Sequence, residues 1–191
     1  MVPFLFIFVK NLKIMKKIVI TLLFVLGSMS IQAQDLVWHK DMAKAIEVSK
    51  TENKPLFLFF TGSDWCGWCI RLQKEVFKTP EFIEWASKSV VLVELDFPRK
   101  SAQPEEEKRQ NAELQQVFAV RGYPTVWFVK AGDLNGKINF EQLGSTGYVA
   151  GGPNAWLAVA KPMVEKFTPY PAQAPKKADK KETKKKKSKK S

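Results

Sequence analysis

Cysteine is nearly missing from this chain, which has only Cys66 and Cys69 among its 191 residues. Two thiols three positions apart cannot build the multi-bridge framework of a disulfide-stapled mini-protein. Histidine is scarcer still, with His39 alone. A structural zinc site takes four ligands, commonly Cys and His, so no zinc ribbon and no metal site is expected. Acidic side chains are absent from residues 1–33, which carry Lys10, Lys13, Lys16 and Lys17. They are outnumbered again in residues 176–191, where ten lysines face Asp179 and Glu182. Those two ends together hold the whole formal charge of +12, leaving residues 34–175 neutral. A neutral body lacks the basic face of a nucleic-acid binder, so no nucleic acid is expected as a partner.

The chain also lacks an unbroken apolar run of the about 20 residues needed to span a bilayer. What residues 15–33 do contain is Met15-Lys16-Lys17, an apolar stretch from Ile18 to Leu26, and small residues leading to Ala33. That order is the layout of an export signal, with cleavage expected after Ala33. Residues 1–14 read as an extension upstream of a start at Met15. The competing reading keeps Phe4–Val9 and Ile18–Leu26 as an uncleaved membrane anchor. With no cysteine near the cleavage point, a lipid-modified cysteine is excluded. Export to the periplasm or cell envelope places the two thiols where disulfides persist.

An apolar fraction of 45% is ordinary for a globular protein. Trp38, Met42, Ala45, Ile46 and Ser49 fall at helical spacing, so residues 41–52 read as an amphipathic helix. Leu56–Phe60 is a short continuous apolar run, suited to a strand covered on both faces. Thr61-Gly62-Ser63-Asp64 is a turn cluster. A helix then starts near Cys66, with Cys69, Leu72 and Val76 on one side. Further helices are expected over Pro80–Lys88 and Glu105–Ala119, and strands over Val90–Leu95, Thr125–Val129 and Ile138–Leu143. The last two strands are joined by a turn at Ala131–Gly136. Pro153 suits the first turn of a last helix whose apolar stripe runs from Trp156 to Phe167. Pro162 should kink or break it. The order α-β-α-α-β-α-β-β-α implies an α/β domain with helices on the faces of a sheet. Residues 171–191, rich in proline, alanine and lysine, cannot bury enough apolar area to fold and are expected to be disordered.

Trp65-Cys66-Gly67-Trp68-Cys69 follows a strand and opens a helix. Cysteines at i and i+3 of one helical turn meet disulfide geometry without moving the backbone. The helix N-terminus presents free N–H groups and partial positive charge, which stabilise a thiolate on the first sulfur. As a staple, a bridge closing so short a loop gains little loop-closure entropy. Reversible exchange is the better use of this pair.

Phe60–Cys69 resembles the active-site region of thioredoxin-like proteins of bacterial cell envelopes. Val120-Arg121-Gly122-Tyr123-Pro124-Thr125 resembles the segment of that family in which a cis-proline faces the cysteines. The resemblance covers residues 35–168 and implies a thioredoxin-like fold with a central mixed sheet of about four to five strands. It implies a thiol-disulfide oxidoreductase in which Cys66 is the nucleophile and Cys69 the resolving thiol. It further implies that Pro124 is the cis-proline, that the backbone of Tyr123 pairs with substrate, and that Trp65, Gly67 and Trp68 border the bound chain. Protein or small-molecule disulfides are the implied substrates. No cofactor is expected beyond the redox-active pair, and a membrane electron donor is an implied partner. The alternative is a binding or chaperone module of the same fold whose cysteines are incidental.

Three departures from the family stand out. The intervening pair is Gly67-Trp68 where thioredoxin has Gly-Pro. The turn around Gly62 is one residue longer. Phe59 or Phe60 stands where thioredoxins carry a buried aspartate, which leaves the proton acceptor for Cys69 unassigned among water or a nearby lysine. Asp64 is expected on the turn and wet, and Asp96-Phe97-Pro98-Arg99 as a solvated loop. His39 reads as a surface or helix-entry residue. The lysine-rich tail reads as a solubilising segment, or as one that touches anionic surfaces.

Overall fold

The computed structural model describes residues 36–134 and 137–171. The expected export signal and nearly all of the lysine-rich tail lie outside them. Eleven residues, Met42–Glu52, form α1. The Asp41 carboxylate caps it by accepting the N–H groups of Ala43 and Lys44, and Asn53 closes it in the left-handed conformation. Strand β2, Leu56–Thr61, is buried at every residue, as expected of its unbroken apolar run. Helix α2, Gly67–Leu72, runs on into a π-helical turn over Gln73–Phe77, where the Lys78 N–H reaches back five residues to the Gln73 carbonyl. Thr79 caps α3, Pro80–Ser89, with Pro80 in its first turn. Strand β3, Val91–Asp96, and helix α4, Glu105–Val117, follow. Strands β4, Thr125–Leu134, and β5, Lys137–Thr146, lead to α5, Gly152–Val164.

The sheet order is β1-β3-β2-β4-β5, where β1 is the two-residue strand Trp38–His39. β1 and β2 run parallel to β3, and β4 runs antiparallel to both β2 and β5. Alternation along β2 sends Phe57 and Phe59 to one face and Leu56, Leu58 and Phe60 to the other. The first face packs under α2, α3 and α5 through Leu72, Val76, Phe77, Phe82, Ala86, Trp156 and Leu157. The second packs under α1 and α4 through Met42, Ala45, Ile46 and Leu114. The sheet is therefore covered on both faces, and its strands are correspondingly apolar.

Several expectations are corrected. Trp38 does not share the stripe of α1. It sits in β1 and packs on Phe57, Phe59 and Phe77, on the face opposite Met42 and Ile46. Thr61 belongs to β2, so the turn begins at Gly62. Ala131–Leu134 continue β4, so the link to β5 narrows to residues 135–136. α4 stops at Val117, because Ala119 turns left-handed and Val120 N–H bonds the Gln115 carbonyl. Pro162 does not break α5, which continues to Val164. The carbonyl that Pro162 leaves without an N–H partner belongs to Ala158, an exposed residue.

Candidate active site

Topology gathers four segments at one edge of the sheet. β2 and β3 are parallel, so Gly62–Cys69 and the loop after Asp96 leave from the same end. β4 pairs Thr125 with Phe60, which brings Tyr123 and Pro124 to that edge. β5 pairs Thr146 with Val126, which brings Gly147 and Tyr148 there too. The carboxyl ends of parallel strands are where α/β sheets place their sites.

Cys66 and Cys69 are joined by a disulfide, with S–S 2.10 Å and Cα–Cα 5.3 Å. Cys66 is the N-cap of α2, and its Sγ accepts the Cys69 N–H at 3.2 Å. The first sulfur therefore sits where helix N–H groups converge, as the motif's position predicts. Cys66 is 6% exposed and Cys69 fully buried, so an incoming group meets Cys66 first. Gly67 is exposed, and a Cβ there would touch nothing within 4 Å. The space beside Gly67 is therefore open.

Two aromatic plates flank the pair. On one side Trp65 donates its indole N–H to the Phe97 carbonyl at 2.8 Å and takes Tyr123 edge-on at 5.7 Å. Tyr123 also stacks obliquely on Phe97 at 5.3 Å. The Arg99 guanidinium lies over the Trp65 ring, 3.7 Å from its centroid. On the other side Trp68, 55% exposed, rests on Tyr148 at 5.1 Å. Arg71 lies near both rings and is paired with Glu75, whose second oxygen accepts the Tyr148 hydroxyl. That hydroxyl, then Arg71, holds the Glu75 carboxyl below its ordinary value. The Tyr123–Pro124 bond is cis. Gly147 lies against it, since a Cβ on Gly147 would stand 3.1 Å from the Pro124 carbonyl.

Asp64 is on the turn, as expected, but it is not idle. Its carboxylate accepts the N–H groups of Arg99, Lys100 and Ser101 and the Ser101 hydroxyl. These bonds, the Arg99 N–H foremost, hold its pKa down to about 2 against a smaller opposing effect of desolvation. Asp96 accepts the N–H and hydroxyl of Ser63. The loop after β3 is therefore a wall of the site, and the expectation of a merely solvated loop is corrected. The structure thus brings Cys66, Cys69, Trp65, Gly67, Trp68, Tyr123 and Pro124 together. Sequence reasoning missed Asp64, Arg99, Arg71, Glu75 and Tyr148 as parts of the site. Tyr148, a lone aromatic in the glycine-rich stretch Gly144–Gly152, was the readable signal among them.

A buried cysteine pair at a helix N-terminus, walled by aromatic residues at the carboxyl edge of a mixed sheet, defines a thiol-disulfide exchange site. The thioredoxin-like domain profile matches residues 42–147, and the chain belongs to that family. It is 41% identical over 131 residues to the disulfide bond reductase DsbH of Chlamydia pneumoniae, covering 69% of this chain and 74% of that protein. It is 34% identical over 114 residues to the thioredoxin-related protein DsbJ of the same organism, covering 56% of this chain and 33% of that one. A solved structure of a DsbH oxidoreductase superposes with a TM-score of 0.63 at 36% identity, covering 73% of this chain and 91% of that one.

Proposed function

We propose that this thioredoxin-like disulfide oxidoreductase works as a reductase of protein disulfides in the cell envelope. The observation that carries the reading is the placement of Cys66, capping α2 with its sulfur on the Cys69 N–H. A thiolate is the attacking species in disulfide exchange, and that position favours it. The direction, reduction, is supported by the 41% identity to a protein named as a disulfide bond reductase.

In the reduced protein the Cys66 thiolate attacks one substrate sulfur. The substrate S–S bond breaks, the attacked sulfur joins Cys66 in a mixed disulfide, and the other substrate sulfur leaves as a thiolate that takes a proton from water. Cys69 then gives up its proton and attacks the Cys66 sulfur. The mixed disulfide breaks, the substrate sulfur held in it leaves as a thiolate, and the Cys66–Cys69 bond carries the two electrons' worth of oxidation. Trp65, Gly67, Trp68, the Tyr123 backbone and Pro124 form the surface that holds the substrate chain. The cysteine pair is itself the redox group, with no metal or organic cofactor. A dithiol partner, such as a membrane electron carrier, returns the pair to its reduced form. Residues 1–33 direct export, and the lysine-rich tail solubilises the protein or touches anionic surfaces.

The test equilibrates the protein in dithiol/disulfide buffers and measures the fraction of Cys66–Cys69 disulfide at each potential. A midpoint near the roughly −270 mV of thioredoxin, with reduction of a protein disulfide that Cys66→Ser, Cys69→Ser abolishes, is the expected result. A midpoint near roughly −120 mV would reverse the direction to disulfide donation. The absence of any reversible couple would replace the enzyme with a binding module.

A further inference from the structure

The rim of the site is asymmetric in charge. The chain's arginines are Arg71, Arg99, Arg109 and Arg121. Arg71 is paired with Glu75 beside the Trp68 plate, and Arg109 with Glu113 on α4. Among the described residues no carboxylate pairs with Arg99 or Arg121. Both are exposed, Arg99 in the loop after β3 and Arg121 two residues before Tyr123.

Arg99 is held in place. Its guanidinium lies over Trp65, 3.7 Å from the ring centroid, so one face of the fork is occupied by the indole. The N–H edges stay free, and a planar fork of free donors matches a carboxylate. The loop that carries Arg99 is fastened at three points, each on the residues just before Cys66. Asp64 gathers the N–H groups of Arg99, Lys100 and Ser101. Ser63 donates twice to Asp96. Trp65 donates to the Phe97 carbonyl. The cation and the cysteine are therefore parts of one fixed assembly, on the side of the pair opposite the neutral Trp68–Tyr148 plate.

We propose that Arg99 is a specificity-determining residue that binds a carboxylate beside the substrate's cysteine, so that acidic polypeptide disulfides are the preferred substrates. Asp64 is the positioning residue that keeps Arg99 on Trp65. The proposal rests on the disulfide-exchange reading above.

The experiment uses the reduced full-length protein and three peptides that share one disulfide loop and differ only in acidic, neutral or basic residues beside the cysteines. The second-order rate of reduction is measured for each. The acidic peptide should be reduced about threefold faster than the neutral one, the scale of an exposed ion pair. The basic one should be slower than both, and the differences should shrink at high salt. Arg99→Met should lower the acidic-to-neutral ratio clearly below that of the unaltered protein. Arg109→Met, which removes the same charge from α4, should keep the ratio. The lysine-rich tail contributes the same factor to the ratio of every variant, so it cancels when variants are compared. Asp64→Asn decides by sign. It removes a negative charge from the rim, so charge alone would raise the preference for acidic peptide, whereas release of Arg99 lowers it. A rise overturns the positioning role of Asp64. Equal rates on the three peptides, or an unchanged ratio in Arg99→Met, overturns the specificity assignment while disulfide exchange stands. Failure to reduce any of the peptides overturns the exchange reading itself.

Discussion

Glu94 is an uncommon residue for its position. It lies on β3 opposite Phe59, partly buried, and lines a pocket of about 240 Å³ with Trp38, Phe59, Gln73, Phe77 and Lys78. Burial is the main cause that raises its carboxyl above the ordinary 4.5, with Asp96 and Glu107 adding to the rise and Lys40 opposing it. A carboxyl raised in the folded state favours folding while protonated. Stability from this group is therefore greatest below pH 4.5 and falls as pH climbs through the folded value. Glu94→Gln keeps the size and removes the ionisation. It should raise Tm at pH 7, and the gain should close as pH drops below 4.5. An equal Tm for both proteins at pH 7 would show that the carboxylate is hydrated in place at no cost. Glu94 was not singled out from sequence, because a single glutamate in Val91–Asp96 reads as the solvent-facing member of a strand. Its surroundings come from Trp38 and Phe77, residues distant in the chain.

At the scale of elements, the site depends on a short helix and the turn before it. α2 has six residues and continues into a π-helical turn, a feature that occurs often at functional sites. The turn that aims it depends on Gly62. A Cβ at Gly62 would stand 2.5 Å from the Trp65 indole, closer than any side chain tolerates. Gly62→Ala must therefore displace a rigid ring that is bonded to Phe97 and covered by Arg99. The expected destabilisation is about 1–3 kcal/mol, typical of overpacking. It should be accompanied by a changed near-ultraviolet circular dichroism signal from Trp65, and a native-like signal with unchanged unfolding midpoint would contradict the account. That a turn lies at Gly62–Asp64 was legible from sequence. Its use was not: Ser63 and Asp64 bond Asp96 and the loop after β3.

At the scale of the whole molecule, one residue ties the active-site face together. Trp156 of α5 is fully buried and touches Phe57, Phe77, Phe82, Trp85 and Phe128. Its indole N–H donates to the Gly147 carbonyl, in the loop that lies against Pro124 and carries Tyr148. Trp156→Ala should cost about 3–5 kcal/mol, through lost burial and a cavity at the centre of an aromatic cluster. Because the same side chain fastens the 147–148 loop, disulfide exchange by the folded fraction should slow as well. Denaturant unfolding and single-turnover reduction measure the two effects separately, and a loss of stability below 1 kcal/mol would show the cluster to repack.

Local pattern alone determined much of this protein. The apolar run of β2, the caps at Asp41 and Thr79, and the position of Cys66 at the start of a helix are set by residues within a few places of one another. Helical and strand periods are properties of consecutive residues, so they can be read without the fold. The tandem of Trp65–Cys69 and Tyr123-Pro124 placed the chain in its family for the same reason. Only the tertiary structure decided what surrounds the cysteines. Asp64 reaches residues 35 to 37 places away, and Glu75 meets Tyr148 across 73. Trp38 joins the face opposite its neighbouring helix because β1 hydrogen-bonds to β3. Such contacts depend on strand order and register, which bring loop ends together by the geometry of the sheet. Loop residues carry no periodic signal of their own, and so the wall formed by Arg99, Phe97 and Trp65 becomes visible only once the strands are paired.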